Sequence, residues 1–372
     1  MGTHGVIAAG QLLLTLTGVS LLFACLQSNG AMEAAAQRVL GLSRGRVALL
    51  PLVFFMLAAL LAMVGPGAIL SVALLAPMAM RTGVPVGVSP FLIALMIGNG
   101  ANAGNLSPFS SVGVIVNGLM TRSGLGGHPL RIWFFHAAAH LAVALGAYVL
   151  FGGLRLSWRA AGSAHQNIPP FTRPQSVSLA ALFLWMAAVI AFRWPLGWTA
   201  LGFGACLLLA SKAPWRLALA KMPWKVIAMV VSISTAVGVI EQAGGLQWFQ
   251  AAVGTYATPA TVHPVLAFLT GIISAYSSTS SVVLPAFLPM VPGIAARLPG
   301  TDALALAISI NIGSAMVDVS PLSTLGALCI AAAPEGASKP QLFTRLMIWG
   351  FAMAFVAAGI CYLAAPLFPP TV

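Results

Sequence analysis

Acidic side chains are scarce in this chain: it has five Asp and Glu, against seventeen Lys and Arg. Charged residues of both signs make up only 6% of the sequence, where a soluble domain carries roughly 25%. Water is therefore not the main solvent of the folded chain. Cysteine is also sparse. Cys25, Cys206, Cys329 and Cys361 stand alone inside apolar segments, which excludes a disulfide framework and a Cys-rich zinc site. No HExxH, GxSxG or Walker loop occurs, so the usual signatures of metalloproteases, serine hydrolases and NTPases are missing. An enzyme is not expected.

Apolar residues fill the space left by charge, at 60% of the chain with a mean hydropathy of +1.00. Runs of near-membrane length recur over 12–26, 47–64, 132–151, 226–240 and 342–363. A bilayer core of roughly 30 Å calls for about 20 such residues per helix. The first run lacks a basic leader and another span follows soon after, unlike a cleaved signal peptide. The net charge of +12 does not indicate nucleic acid, because its basic residues are scattered over short loops. Such residues record membrane orientation. Trp194, Trp198, Trp215, Trp224 and Trp248 fall near span ends, as an interfacial aromatic belt requires.

Self-similarity is the most informative pattern in the chain. Residues 98–113 align without a gap on 311–326, at a constant offset of 213. Gly100 matches Gly313, Ser107-Pro108 match Ser320-Pro321, Ser110 matches Ser323, Gly113 matches Gly326, and Asn105 falls on Asp318. Upstream, Ala76-Pro77-Met78 resembles Leu288-Pro289-Met290.

The expected fold is an all-α polytopic membrane protein of two inverted-topology repeats, residues 1–152 and 177–372, joined by a cytoplasmic linker over 153–176. Each repeat holds a re-entrant helical hairpin (about 47–81; about 263–292) and a broken helix (about 90–120; about 303–333). The hairpin tips are Gly65-Pro66-Gly67 and Ser277-Ser278-Thr279-Ser280. The second repeat has two extra helices in front, so N-terminal scaffold helices are expected to be lacking from the first. If the hairpins do not cross the membrane, thirteen Lys and Arg share one side and four take the other. The richer side is then cytoplasmic.

Non-helical backbone at membrane depth survives only where protein or a water-filled cavity covers it. Paired Gly/Pro-interrupted segments in two halves point to a secondary transporter's binding site. Freed N–H groups suit an anion, and freed carbonyls a cation. Asn99, Asn102, Asn105, Ser107 and Ser110 add polar groups in one half, and Asn311, Ser314, Asp318, Ser320, Ser323 and Thr324 in the other. Close helix packing explains the Gly and Ala of these segments, but not three Asn in seven residues. Asp318 is the only acid in the middle of an expected membrane segment, a costly position that marks it for cation or proton chemistry. Glu33 and Glu241 sit in amphipathic stretches and are expected to face headgroups or water. His136 and His140 lie four apart on one helical face, with no nearby Glu or Cys to complete a metal set. They read as packed or interfacial histidines.

With the polar segment Asn-Gly-Ala-Asn-Ala-Gly-Asn-Leu-Ser-Pro over 99–108 and the paired hairpins in view, the chain resembles the bacterial dicarboxylate carrier family associated with malonate uptake. That family belongs to the ion transporter superfamily, together with the divalent anion:sodium symporters. In those symporters a Ser-Asn-Thr signature at each hairpin tip contacts the substrate carboxylate and helps form a sodium site. Ser277, Ser278 and Thr279 match the second signature, with Ser in place of Asn. Residues 65–67 occupy the first, where the agreement is lost. The resemblance implies an elevator mechanism, a homodimer and a multi-pass location in the bacterial inner membrane. Hairpins and broken helices would move against a scaffold that includes 132–152, 177–210 and 342–363.

The expected function is secondary active transport of small dicarboxylates, coupled to Na⁺ or H⁺ and needing no cofactor. The substrate set is Asn99, Asn102, Asn105, Ser107, Ser277, Ser278, Thr279 and Ser320. The cation set is Asn102, Asn105, Asn311, Ser314, Asp318 and Thr279. The alternative is a membrane subunit that works only with a partner protein.

Overall fold

A computed structural model describes residues 3–41, 46–65, 67–157, 170–192, 194–210, 243–334 and 336–368, with the single positions 216, 220, 224 and 239. The span expected over 226–240, together with Pro66, Trp215, Glu241 and linker residues 158–169, lies outside the described residues apart from Val239. The described residues are helical, with no strand. Among them Val47–Val64, Gly67–Val86, Pro129–Leu150, Thr279–Arg297 and Lys339–Leu367 are long and apolar enough to cross a membrane.

In chain order the helices are α1 (Thr3–Ser28), α2 (Ala31–Gly41), α3 (Leu50–Val64), α4 (Gly67–Gly83), α5 (Pro90–Asn105), α6 (Ser111–Arg122) and α7 (Pro129–Leu150). After α8 (Arg173–Phe192) and α9 (Leu196–Ala210) come α10 (Gly245–Tyr256) and α11 (Val262–Ser274). The rest are α12 (Thr279–Arg297), α13 (Ala303–Met316), α14 (Thr324–Ala331) and α15 (Lys339–Ala364). Helix α12 opens on one π-helical turn over Thr279–Val283.

Proline sets several of the starts. Pro51, Pro90, Pro129 and Pro340 stand in first turns, where the missing N–H costs nothing and the fixed φ already suits a helix. Polar caps supply others: Asp302 accepts from Ala305 N at 2.9 Å at the head of α13, and Ser110 from Val112 N at 3.3 Å at the head of α6. The interruptions between α5 and α6 and between α13 and α14 each carry Ser-Pro, which bars helical continuation.

Helix α7 buries His136, His140, Val143 and Ala147 while Phe134, Leu145 and Val149 face outward. An apolar outer face on an apolar helix fits lipid rather than water. Exposed Trp194, Trp198, Trp224 and Trp248 are in keeping with an interfacial belt.

Two hydrophobic cores form among the described residues. The larger joins α3 to α7 with α10 to α15, and the smaller joins α1 and the start of α2 with α8 and α9. Small residues draw the smaller one tight, since a Cβ on Gly18 would meet Leu201 N at 2.9 Å. Helices α7 and α15 pack on α5, α11 and α13. They therefore share a core with the hairpin arms and broken helices. Their faces buried in that core carry His136 and His140 in one case and Trp349 and Met353 in the other.

Candidate functional site

The two breaks share three matching hydrogen bonds. Ser107 N donates to Gly104 O at 3.0 Å, and Ser320 N to Val317 O at 2.8 Å. Ser110 N reaches Ser107 O at 2.9 Å, and Ser323 N reaches Ser320 O at 3.0 Å. The Ser107 hydroxyl accepts from Phe109 N at 3.2 Å, and the Ser320 hydroxyl from Leu322 N at 3.4 Å. Every pair is separated by the offset of 213. Ser107 and Ser320 thus hold their turns in shape, as Ser does when it bonds the backbone two residues on. Gly113 and Gly326 each pack so closely on the preceding turn, against Ser107 O and Ser320 O, that no Cβ fits.

The broken helices meet where sequence alone could not show it. Asn102 Nδ2 donates to Ala315 O at 3.1 Å. A Cβ on Gly98 would touch Val319 Cγ2 at 2.6 Å, so α5 and α13 run past each other in opposite senses. Around this crossing lie buried polar atoms with no partner among the described residues: Asn102 Oδ1 and both amide atoms of Asn311. Both residues are at most 1% exposed, and a buried amide left unpaired costs about 1–3 kcal/mol. These atoms are the best ligand candidates in the described chain.

Each break also grips its hairpin. In the first half Asn105 Oδ1 accepts from Ala68 N at 2.9 Å, and Ser111 N donates to Gly65 O at 3.0 Å. In the second half the Asp318 carboxylate lies within hydrogen-bonding reach of the Thr279 and Ser323 side chains. Ser323 also donates to the Asp318 backbone carbonyl. Thr279 Oγ1 in turn donates to Ser314 O at 3.1 Å and lies 2.5 Å from Ser274 Oγ. Asp318 stands where Asn105 does in the other half, with a carboxylate in place of an amide, but the start of α12 is capped by Ser278 rather than by Asp318. The structure brings Thr279, Ser314, Asp318 and Ser323 together, and Ser274 joins them unforeseen.

Other expected ligands are already engaged. Ser277 donates back to Ile273 O at 2.7 Å, Ser278 accepts from Ser281 N at 3.3 Å, and Ser314 donates to Ile310 O at 2.7 Å. Asn99 Nδ2 donates to Leu95 O at 3.0 Å, and its Oδ1 lies 3.0 Å from His140 Nδ1. His136 Nε2 lies 3.0 Å from Asn102 O, and Trp133 Nε1 donates to Ala103 O at 3.0 Å. Helix α7 thus braces the polar segment with three ring nitrogens. The spacing of 133, 136 and 140 on one helical face was the available signal. Of the two readings for the histidines, packed is the one that fits.

The first tip explains its own composition. A Cβ on Gly65 would overlap the Phe23 ring of α1. Phe23 and Phe109 each stand edge-on to Trp185 of α8, with ring centroids at 6.4 and 6.1 Å. Gly67 has φ +74°, and a Cβ there would come within 3.0 Å of Ser111 Oγ. No side chain fits at either glycine, so a hydroxyl signature cannot be carried there. Glu33 is partly buried, with Oε2 unpartnered among the described residues, and so is less open to water than expected.

Residues 3–105, from α1 to the end of α5, match the family model described as the dicarboxylate carrier protein MatC N-terminus. No curated protein matches the chain. The match and the apolar helices together support a multi-pass membrane transporter of dicarboxylates.

Proposed function

We propose that this chain is a secondary active carrier of small dicarboxylates of the malonate or C4 type, working by an elevator movement and coupled to a cation. The observation that carries the reading is the meeting of the two breaks at Asn102 and Ala315, beside unpartnered buried amide atoms on both helices. A dianion needs donors, and Asn311 Nδ2 together with the freed backbone of the breaks would supply them without a buried Lys or Arg. Thr279, Ser314, Asp318 and Ser323 offer the oxygen-rich corner a hard cation such as Na⁺ requires.

The matched hydrogen bonds at an offset of 213 and the opposed course of α5 and α13 support two inverted repeats. A cross-packing supports them too: α14 lies on α4 of the other half, and α6 lies on α12. The division into two cores suggests which parts would move. Hairpins, broken helices, α7 and α15 would travel as one body past α1, α8 and α9. The resemblance adds a homodimer and a bacterial inner-membrane location, with Arg38, Arg81 and Arg345 on the cytoplasmic side.

The test is uptake of labelled malonate and succinate into proteoliposomes under sodium and proton gradients, for wild type and Asn311→Ala. Saturable, gradient-driven uptake lost in the variant supports the reading. Well-folded wild type that takes up neither acid under either gradient would refute it.

A further inference from the structure

Arg81 lies in the last turn of α4 and Arg345 in the second turn of α15. They come from opposite halves of the chain, yet both line one cavity of about 640 Å³ between the starts of α5 and α15. The cavity also has an apolar wall. Met80, Phe91 and Leu342, all part of the larger core, form it together with Val84. Both arginines are exposed, and neither has a hydrogen bond or an acid partner among the described residues. Glu335, which falls between the lining residues Pro334 and Gly336, lies outside the described residues.

The backbone at this cavity adds positive character. Ser89 stands at the cap position of α5 but makes no side-chain bond to the first turn, so the positive end of that helix is left without a polar cap. At the offset of 213 Ser89 falls on Asp302, which does cap α13. The acid is thus present in one half and missing from the half that lines the cavity. Helix α15 also starts here, with Lys339 in its first turn beside Ser338.

Arginines at helix ends usually do no more than record orientation. These two differ because they share one concavity with an apolar wall. A small dianion would gain from the charges but nothing from Met80, Phe91 and Leu342. An amphipathic anion would use both. The cavity also borders the lipid-facing surface, since Pro77, one turn before Arg81, and Ile348, one turn after Arg345, are exposed apolar residues.

We propose that this cavity holds the headgroup phosphate of an anionic phospholipid between Arg81 and Arg345, with the start of an acyl chain on the apolar wall. Basic pockets between membrane helices at the cytoplasmic surface hold such headgroups. Guanidinium suits phosphate because its N–H donors engage two oxygens at once. The site needs the membrane setting but not transport, so it stands or falls apart from the carrier reading.

The experiment counts lipids on the intact chain in detergent by mass spectrometry, titrating phosphatidylglycerol and phosphatidylcholine with the same acyl chains. One phosphatidylglycerol should bind ahead of the rest, and phosphatidylcholine should not replace it. In Arg81→Ala/Arg345→Ala the affinity of that first lipid should fall about 30-fold, the scale of one lipid-charge contact for each arginine. Arg155→Ala/Arg173→Ala removes as much charge from the same expected side, outside the cavity. It should change that affinity by less than about twofold, since distant surface charges are screened. If the first variant does not fold, a photoreactive phosphatidylglycerol carries the test in wild type, and its label should fall within 80–91 or 334–345. Equal losses in the two double variants, no loss in the first, or label confined to other segments would overturn the site. So would displacement of the lipid by inorganic phosphate or malonate beyond that by chloride of equal ionic strength, which would assign the cavity to a free anion. Malonate uptake by the same preparations reports on the carrier reading separately: lipid binding without uptake removes that reading and leaves the site.

Discussion

Asn102 Nδ2 donates to Ala315 O at 3.1 Å, and the two residues stand 213 positions apart, the offset that aligns the two polar segments. Each residue is thus bonded to its own counterpart in the other half. Such a contact is what the proposed two-fold relation between the halves would give. Both breaks lie around it, as does Asn311, whose amide atoms have no partner among the described residues.

Asn102→Ala should cost function far more than fold. A side-chain hydrogen bond between membrane helices contributes about 0.6 kcal/mol on average, so thermal unfolding in detergent should shift by only a few degrees. Malonate uptake should fall by more than about tenfold, the loss expected when a ligand group worth about 1.4 kcal/mol disappears. A large unfolding shift with uptake intact would reverse the assignment and make Asn102 a structural clip.

Asp318→Asn keeps the size of the side chain and removes its charge next to Thr279 and Ser323. Charge-assisted hydrogen bonds contribute about 1.5–3 kcal/mol. Cation affinity, read from the sodium dependence of uptake, should therefore weaken by about 10- to 100-fold. The Asn105→Asp variant places a carboxylate at the matching position of the other half and should not restore it. Identical sodium dependence in wild type and Asp318→Asn would remove Asp318 from the cation set.

Gly65→Ala should destabilise the first tip by about 1–3 kcal/mol, the usual cost of overpacking, because the new methyl group enters the Phe23 ring. Adding Phe23→Ala should recover part of that loss, so that the double variant is more stable than the two single effects summed. Thermal unfolding of the four proteins in one detergent closes the cycle. Additive effects would mean that the ring and the tip do not touch in the membrane.

Gly100→Ala and Gly313→Ala should each be damaging, since either methyl group would run into a backbone carbonyl, of Phe55 and of Ala267 respectively. Gly146 of α7 and Gly359 of α15 have open space at the same atom. Their Ala variants should be neutral or gain up to about 1 kcal/mol from helix propensity. Expression and unfolding temperature of the four variants separate the two classes.

Membrane character and the two Ser-Pro breaks were legible in the sequence. Each depends on local chemistry or on a period: hydrophobic run length, proline's missing N–H, an offset of 213. The polar residues were legible as a set because three Asn in an apolar segment need a reason. Their individual roles were not. Asn99, Asn102 and Asn105 look alike in sequence, yet one is tied to His140, one bridges the halves, and one caps α4. Only tertiary packing could sort them, because a side-chain amide takes its role from whichever donor or acceptor the neighbouring helix presents.

The same reason governs the rest. The sequence by itself determined that the chain would be helical, membrane-embedded, and interrupted twice at matching places. Tertiary structure alone decided that α7 and α15 belong with the hairpins, that Phe23 leaves no room at Gly65, and that the two histidines face the first break. Those are contacts between residues far apart in the chain, such as Phe91 and Trp349, and no local pattern encodes which faces of uniformly apolar helices will meet.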